Sequence, residues 1–240
     1  VRLAWSPPPF NTGDDLLGDP ATGYRVYVSE TGDGFADAMT TASTSMDLGP
    51  YNPGSIRFFR ISATNAGGES FTTPTLAVKI PESGTGVNLL IVDAFDRIDR
   101  YALIPQYESG PLGTDLRMFL DRMNTYNYAV SHAWAAAAFP GGFDSAVNEA
   151  VGDGLLSLAG YAAVDWIAGE ESTVDETVSD AEQAVLIDFM DAGGGVFISG
   201  AELAWDLDYY GSASDKDFCN NYIKIDYWVD DAGAAIIEPV

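Results

Sequence analysis

Residues 87–95 read VNLLIVDAF, and this stretch decides the fold class of most of the chain. Residues 89–92 are all apolar. A strand with one solvent-exposed face would instead alternate apolar and polar side chains. A short continuous run is typical of a strand covered on both faces, as the strands of parallel sheets are. The run ends at Asp93, so we expect a carboxylate at the carboxyl end of a buried strand.

Segments with helical and with strand patterns alternate after this run. Ser179 and Glu182 form an S-x-x-E capping box, which predicts the start of a helix that the glycines at residues 193–195 end. The other predicted helices are at residues 114–123 and 143–161, and the other predicted strands are at residues 126–132, 161–172 and 196–200. This β-α-β-α-β-α-β order predicts a doubly wound, mostly parallel sheet in an α/β domain at residues 88–240.

The first 80 residues have a different pattern. Short alternating stretches separated by Gly, Pro and Asn turns predict a β-sandwich at residues 1–80. Tyr24 and Val26 share one face of a predicted strand, and Phe59 and Ile61 share one face of another. Residues 81–87 are rich in Pro, Gly and Ser and are predicted to be a linker. The chain is therefore expected to be multidomain, with a β-sandwich followed by the α/β domain.

Three blocks of the first part resemble the fibronectin type III family: LAWSPPP, YRVYV and FRISATNAGGES, which begin at Leu3, Tyr24 and Phe59. The resemblance places residue 1 in the family's second strand. It implies that the first strand is missing and that the chain is a piece of a longer protein. Arg57 stands where the family usually has a tyrosine, which puts the family's tyrosine-corner hydrogen bond in question. Such modules are usually spacers or adhesive units.

The composition excludes several classes of function. The formal net charge is −25, with 11 basic against 36 acidic residues, which argues against binding nucleic acid or anionic lipid through a basic face. Aspartate-rich, lysine-poor composition suits a high-salt or extracellular setting. No apolar run is long enough to span a membrane, and no signal peptide lies in this sequence. One cysteine and one histidine exclude an internal disulfide and a two-histidine metal site.

Charged residues follow the predicted parallel strands, where doubly wound sheets bind their ligands. The residues expected at these strand ends are Asp93, Asp96 and Arg97 after the first strand, His132 near the second, Glu170 and Glu171 after the third, and Ser199 and Glu202 after the fourth. If the strands are parallel, these side chains share one edge of the sheet. We therefore expect a hollow with several carboxylates there.

Four blocks of the second part resemble the class I glutamine amidotransferase-like superfamily: LLIVDAFDR, VDWIAGEES, AGGGVFISGAELAWDLD and DKDFCNNYIKIDYWVDDAG. They are closer to a divergent branch found beside fibronectin modules in secreted bacterial proteins that are often labelled xanthan lyase or N-acetylmuramoyl-alanine amidase. The resemblance implies a flavodoxin-like or amidotransferase-like sheet, incomplete at its C-terminus in this chain.

The amidotransferase reaction itself is excluded for this sequence. That reaction needs a cysteine at the turn after a buried strand and a histidine later in the chain. Here Gly200 and Ala201 occupy the turn, and no histidine follows His132. Cys219, between aromatic residues, is predicted to be a packed thiol.

The residues at the strand ends are compatible with several other roles. Ser199 could act as a nucleophile with His132 as its base. Carboxylate pairs for acid/base chemistry on a glycan could come from Glu202 with Glu170, Glu171 or Asp93. Asp93 and Asp96 could instead hold Ca²⁺, and no other cofactor is expected. The structural alternative is that Glu202 caps its own helix and that Arg97 or Arg100 neutralises a neighbouring acid.

Aromatic residues near these turns suggest a sugar ligand. Trp205, Tyr209 and Tyr210 follow the Ser199 turn and are predicted, with Arg97 and Glu171, to contact substrate. The favoured function is a secreted or cell-surface protein whose second domain associates with glycan without catalysis. The alternative is a carboxylate-dependent hydrolase or lyase acting on polysaccharide or peptidoglycan. Expected partners are these glycans and other domains of the same longer protein, with no nucleic acid and no membrane insertion.

Overall fold

A computed structural model describes residues 1–9, 18–98, 123–174 and 176–229 of the chain. These residues form a strand-rich mixed fold with eleven strands in two sheets. The first part contributes β1 (Arg2–Ala4), β2 (Gly23–Ser29), β3 (Ala36–Thr41), β4 (Ser45–Asp47), β5 (Ile56–Asn65), β6 (Gly68–Thr72) and β7 (Leu76–Lys79). No described helix is both long and apolar enough to cross a membrane.

The second part contributes four strands and most of the helices. Its strands are β8 (Val87–Asp93), β9 (Gly142–Val147), β10 (Ala163–Gly169) and β11 (Gly195–Gly200). Its α-helices are α1 (Tyr128–Ala135), α2 (Asn148–Gly152), α3 (Asp180–Asp191) and α4 (Ala213–Asp217). Short 3-10 turns lie at Ala136–Ala138 and Leu158–Gly160, and π-helical turns at Trp205–Tyr210 and Phe218–Ile223.

The larger sheet has nine strands, in the order β11-β10-β8-β9-β7-β5-β2-β3, with β6 beside β5. β8 to β11 pair in parallel, and the strands of the first part pair antiparallel. The smaller sheet joins β1 to β4. Its Leu3 packs with Tyr24, Val26, Phe59 and Ile61 in one apolar core. The same faces of β2 and β5 were expected to be buried from the sequence.

The apolar run in β8 buries both of its faces, as its sequence predicts. Leu90 and Val92 pack in a core that includes Leu186 of α3. Leu89 and Ile91 pack in a second core on the opposite face, with side chains of α1. This covering of both faces explains why an uninterrupted apolar run is stable as a strand here.

The two parts of the chain share this second core. Lys79 in β7 is paired with Phe143 in β9, so the large sheet continues across the predicted linker at residues 81–87. Gly142 makes the approach possible, because a Cβ at that position would lie 2.6 Å from the carbonyl oxygen of Lys79. Phe58 of β5 also packs in this core, beneath α1. The strands of the first part and the parallel strands of the second part therefore form one continuous body in the described part of the chain.

Two secondary-structure predictions are wrong. Residues 126–132 were predicted to be a strand, but Tyr128–Ala135 forms α1. The alanine-rich sequence at residues 129–138 favours helix, and Ala129 and Ala133 are fully buried one turn apart. The predicted helix at residues 114–123 falls on residues that the structure does not describe, apart from Met123.

The predicted helix at residues 143–161 is instead β9, the one-turn helix α2 and a 3-10 turn. Asp144 and Ser145 look like helix-capping residues, but both serve within a strand. Asp144 accepts a hydrogen bond from the Tyr161 hydroxyl at 3.0 Å, and the Ser145 hydroxyl accepts one from the Ala77 backbone N–H at 2.6 Å. Because these bonds satisfy the polar groups, the strand is stable in the middle of the sheet.

Candidate functional site

The carboxyl ends of β8, β9 and β10 lie side by side, because β8 is a parallel neighbour of both other strands. Asp93 ends β8, α2 begins directly after β9, and Glu170 and Glu171 follow β10. The turn from Asp93 to Arg97 lies between these strand ends. The sheet topology thus brings together acids that are distant in the sequence.

Asp93 is almost completely buried, with 4% of its surface exposed. Its Oδ1 accepts a hydrogen bond from the backbone N–H of Phe95 at 3.4 Å, while Oδ2 has no hydrogen-bond partner among the described residues. Burial raises the pKa of this carboxyl to about 6, because an ionised group loses its hydration there. Asp93 therefore changes its charge in mildly acidic solution.

Glu171 holds the turn that follows β8. Its Oε1 accepts hydrogen bonds from the backbone N–H groups of Asp96 at 3.0 Å and Arg97 at 2.7 Å. In return, Nη1 of Arg97 donates to the carbonyl oxygen of Glu170 at 2.9 Å. These bonds tie β8 to β10 and give Glu171 and Arg97, both predicted substrate contacts, a role in fixing the backbone. Arg100, the other arginine expected to neutralise an acid, lies outside the described residues.

A cavity of about 210 Å³, here called the acidic pocket, opens beside this turn. Six carboxylates line it: Asp96, Glu149, Asp153, Glu171, Glu176 and Glu182. Partial burial raises the pKa of Glu149, and repulsion from Asp96 and Glu182 raises it further. The pocket thus contains an acid whose pKa is raised by its burial and by its carboxylate neighbours.

An aromatic cluster follows β11 and consists of Trp205, Tyr209, Tyr210 and Tyr227. The rings of Trp205 and Tyr209 are stacked, with centroids 4.9 Å apart and planes 16° from parallel. Tyr210 packs edge-on against Trp205 at 4.8 Å, and Tyr227 lies 4.9 Å from Tyr209. Tyr209 and Tyr210 remain 54% and 61% exposed. Ring surface is therefore available to a ligand.

A second cavity, of about 250 Å³ and here called the tyrosine pocket, lies beneath Tyr210. Asp206, Asp215 and Ser212 contribute oxygen atoms to its wall. Asp206 is fixed by hydrogen bonds from the backbone N–H and hydroxyl of Thr177, both at 2.8 Å. Glu176 lines both the tyrosine pocket and the acidic pocket, so the two cavities adjoin.

All four predicted catalytic residues, Asp93 among them, lie outside both pockets. Ser199 is on β11 opposite Ile167, Glu202 is in the turn that follows β11, and Glu170 is at the end of β10. Among the described residues, no hydrogen bond or ion pair involves the side chain of any of the three. Of the predicted site residues, Asp96 and Glu171 line the acidic pocket and Tyr210 lines the tyrosine pocket.

Sequence reasoning missed a pair on the face of the sheet that α1 covers. Nδ1 of His132 lies 2.8 Å from Oδ2 of Asp165, in the middle of β10. The hydrogen bond to Asp165 is the main reason why the pKa of His132 is raised. The signal in the sequence was Asp165 itself, a charged residue inside an apolar strand. Its partner was not foreseeable, because residues 126–132 were predicted to be a strand.

Cys219 is fully buried, so the prediction of a packed thiol is confirmed. Its Sγ donates to the Ile225 carbonyl at 3.5 Å, and burial raises its pKa to about 11. In the described ranges, no three or more His, Cys, Asp or Glu side chains converge in a way that could hold a metal ion. Ca²⁺ binding at Asp93 and Asp96 stays a prediction.

Comparisons with known proteins give little further information. No protein-family model matches the sequence, and no curated protein matches it significantly. Among solved structures, the twitchin kinase region from C. elegans is similar over 48% of this chain, at 22% identity and a TM-score of 0.29; the match spans 17% of that structure. A polysaccharide deacetylase from Bacillus cereus matches 90% of this chain and 76% of its own, at 10% identity and a TM-score of 0.22. At these scores neither likeness bears on fold or function.

Proposed function

We propose that this chain is a modular part of a secreted or cell-surface protein and that its second half binds a glycan through the aromatic cluster and the tyrosine pocket. In this proposal the first half is a fibronectin type III-like sandwich. The second half is an amidotransferase-like, doubly wound domain without the amidotransferase cysteine. The parallel order of β8 to β11, with helices on both faces of β8, supports the second assignment.

The observation that carries the proposal is the pairing of exposed rings with fixed oxygen atoms. Aromatic rings with a polar group at the edge are favourable contacts for ligands that have both apolar and polar surfaces. A sugar ring is such a ligand, because its C–H face can stack on Tyr209 or Tyr210 while its hydroxyls donate to Asp206 and Asp215. A concave, partly apolar site with a few oriented polar groups is also typical of small-ligand pockets.

The negative charge of the chain limits the kinds of glycan that it could bind. With a net charge of −25, the protein repels polyanions at low ionic strength. The carboxylates of the tyrosine pocket would also face any acidic sugar directly. The proposed ligand is therefore a neutral polysaccharide or the glycan of peptidoglycan, and not a uronic-acid polymer.

Co-sedimentation with insoluble polysaccharides and with purified peptidoglycan tests this proposal. Replacing both Tyr209 and Tyr210 by alanine should weaken binding about 10-fold or more, because each ring contact is worth about 0.5–1.5 kcal/mol. Phe71→Ala is the matched control, since Phe71 is an 87% exposed ring on β6. The proposal fails if the double variant sediments like the unmodified protein, or if the unmodified protein binds none of these glycans.

Asp96 and Glu149 favour a second candidate function, a carboxylate-dependent hydrolase. Asp96 could take a proton from water while Glu149 gives a proton to the leaving atom, so that water adds across the broken bond. Both residues line the acidic pocket, and Asp96 raises the pKa of Glu149. Two acids that line one pocket suit acid/base hydrolysis of a bond in peptidoglycan, such as one of its amide bonds.

Release of soluble amines or reducing ends from peptidoglycan distinguishes the two candidates. For a hydrolase, Glu149→Gln and Asp96→Asn should each reduce release at least about 100-fold, the usual contribution of one acid/base group. Glu82→Gln, a change at an exposed acid between the two parts of the chain, should leave release unchanged. If the unmodified protein releases nothing, the hydrolase is refuted and the binding proposal is unaffected.

A further inference from the structure

His132, the only histidine of the chain, fastens α1 to the large sheet. Its Nδ1 lies 2.8 Å from Oδ2 of Asp165, and the two side chains are only 23% and 14% exposed. Asp165 lies in the middle of β10, next to β8 on one side and β11 on the other. The pair therefore joins a helix to the middle of an interior strand rather than to a strand end.

Carboxylates dominate the surroundings of the imidazole. Asp165 faces it from β10, and Asp93 at the end of β8 is close enough to favour its charged form. From β7, the ammonium group of Lys79 donates instead to the carbonyl oxygens of Ala137 and Phe139, at 2.8 and 2.6 Å. On α1 itself the titratable neighbour is the Tyr128 phenol.

Each of the two carboxylates has one buried oxygen without a hydrogen-bond partner in the described part of the chain: Oδ1 of Asp165 and Oδ2 of Asp93. A buried carboxylate oxygen without a hydrogen bond destabilises the fold unless a positive charge is close to it. When His132 is protonated it supplies that charge, and when it is neutral it does not.

α1 also contacts the turn that borders the acidic pocket. The ring of Tyr128 packs edge-on against Phe95, with centroids 5.2 Å apart. Phe95 is almost fully buried and precedes Asp96, which lines the acidic pocket. A displacement of α1 would therefore remove the support behind this turn.

We propose that His132 and Asp165 form a proton-dependent clamp that holds α1 on the sheet and, through Tyr128 and Phe95, sets the shape of the acidic pocket. The clamp is closed while His132 carries its proton and loosens when the proton is lost. Control of the pocket's shape follows from the packing alone. Only its effect on catalysis at Asp96 and Glu149 rests on the second candidate function.

The direction of the pH dependence follows from the hydrogen bond. The Asp165 carboxylate raises the pKa of His132 above its ordinary value of 6.5. The clamp's contribution to stability is therefore fully present below pH 6.5 and is lost as the pH rises through the raised value. The clamp is therefore open at pH values above the raised pKa of His132.

Proton NMR of the single imidazole tests the clamp without any glycan. In Asp165→Asn the pKa of His132 should fall by about 1 pH unit or more, since removing an opposite charge at this distance has that effect. Asp144→Asn is the matched control, because Asp144 is also a half-buried strand aspartate but hydrogen-bonds Tyr161. The control should leave the His132 titration where it is. Equal titration in the unmodified protein and in Asp165→Asn overturns the proposal.

Hydrogen exchange of the α1 amides gives a second readout and covers the case in which Asp165→Asn does not fold. After correction for intrinsic exchange, protection of α1 should drop in the unmodified protein as His132 loses its proton. In His132→Gln, where no proton can be lost, protection should be the same at both ends of the range. Protection that is independent of pH in the unmodified protein refutes the clamp, whatever the outcome of the binding experiments.

Discussion

Replacing the buried Asp93 by asparagine should stabilise the protein by an amount that grows as the pH rises from about 4 to about 6 and stays constant at higher pH. The pKa of Asp93 lies at about 6, against 3.8 for an exposed aspartate, because burial penalises the ionised form. At about 1.4 kcal/mol per pH unit, keeping this carboxylate ionised in the fold costs on the order of 3 kcal/mol. Stability is thus highest below pH 3.8 with respect to this group and is lost as the pH rises through about 6.

The asparagine side chain resembles the protonated acid in size, and its amide oxygen can still accept the hydrogen bond from the Phe95 N–H. Urea unfolding followed by tryptophan fluorescence should therefore give similar free energies for Asp93→Asn and the unmodified protein near pH 4. Near pH 8 the variant should be more stable by about 2–3 kcal/mol. Asp188→Asn, on the exposed side of α3, controls for the change in net charge. A gain of equal size at both pH values, or none at pH 8, would show that burial of Asp93 is not what opposes its ionisation.

Three further substitutions test local features of the fold, each by its effect on the free energy of unfolding. Ser179→Ala removes the capping box of α3 and should cost about 1 kcal/mol, without changing the near-ultraviolet spectrum. Gly169→Ala should cost more than about 2 kcal/mol, because Gly169 has a φ of +55° and a Cβ there would lie 2.4 Å from Phe95; a cost below about 1 kcal/mol would contradict this geometry. Ser145→Ala leaves the buried N–H of Ala77 without an acceptor and should cost about 1–3 kcal/mol, and a neutral result would mean that water replaces the hydroxyl.

The strands with the clearest patterns were predictable from the sequence. The apolar runs of β8, β10 and β11 are strands, and the alternating stretches of β2 and β5 bury the faces that their periodicity predicts. The capping box at Ser179 marks the start of α3. In these segments local pattern and tertiary packing favour the same structure, so the local signal is sufficient.

The region between residues 126 and 161 was not predictable, because tertiary contacts there override the local pattern. Asp144 and Ser145 resemble a helix start, but their hydrogen-bond partners Tyr161 and Ala77 come from other elements. This error also concealed Glu149, since a residue placed inside a long helix is not expected at a strand end. The position of α1 and the His132–Asp165 pair could not be predicted for the same reason.

The location of the candidate site was predictable from the sequence, but some of the residues that line it were not. The rule that ligands bind at carboxyl ends of parallel strands led to Asp93, Asp96 and Glu171, which lie together. It could not show that Glu182, a capping residue, also lines the acidic pocket. Side-chain direction at a turn depends on backbone dihedral angles, which the sequence pattern does not determine.

The shared sheet between β7 and β9 has a mechanical consequence. Modules that are strung on flexible linkers swivel independently, so a site on one of them samples many directions relative to its neighbours. Here the pairing of Lys79 with Phe143 and the common core around Phe58 join the two parts of the chain beside residues 81–87. Tension applied at the amino-terminal end would be carried directly into the strands whose tips bear the acids. The orientation of those tips is thereby coupled to that of the strands in the first part of the chain.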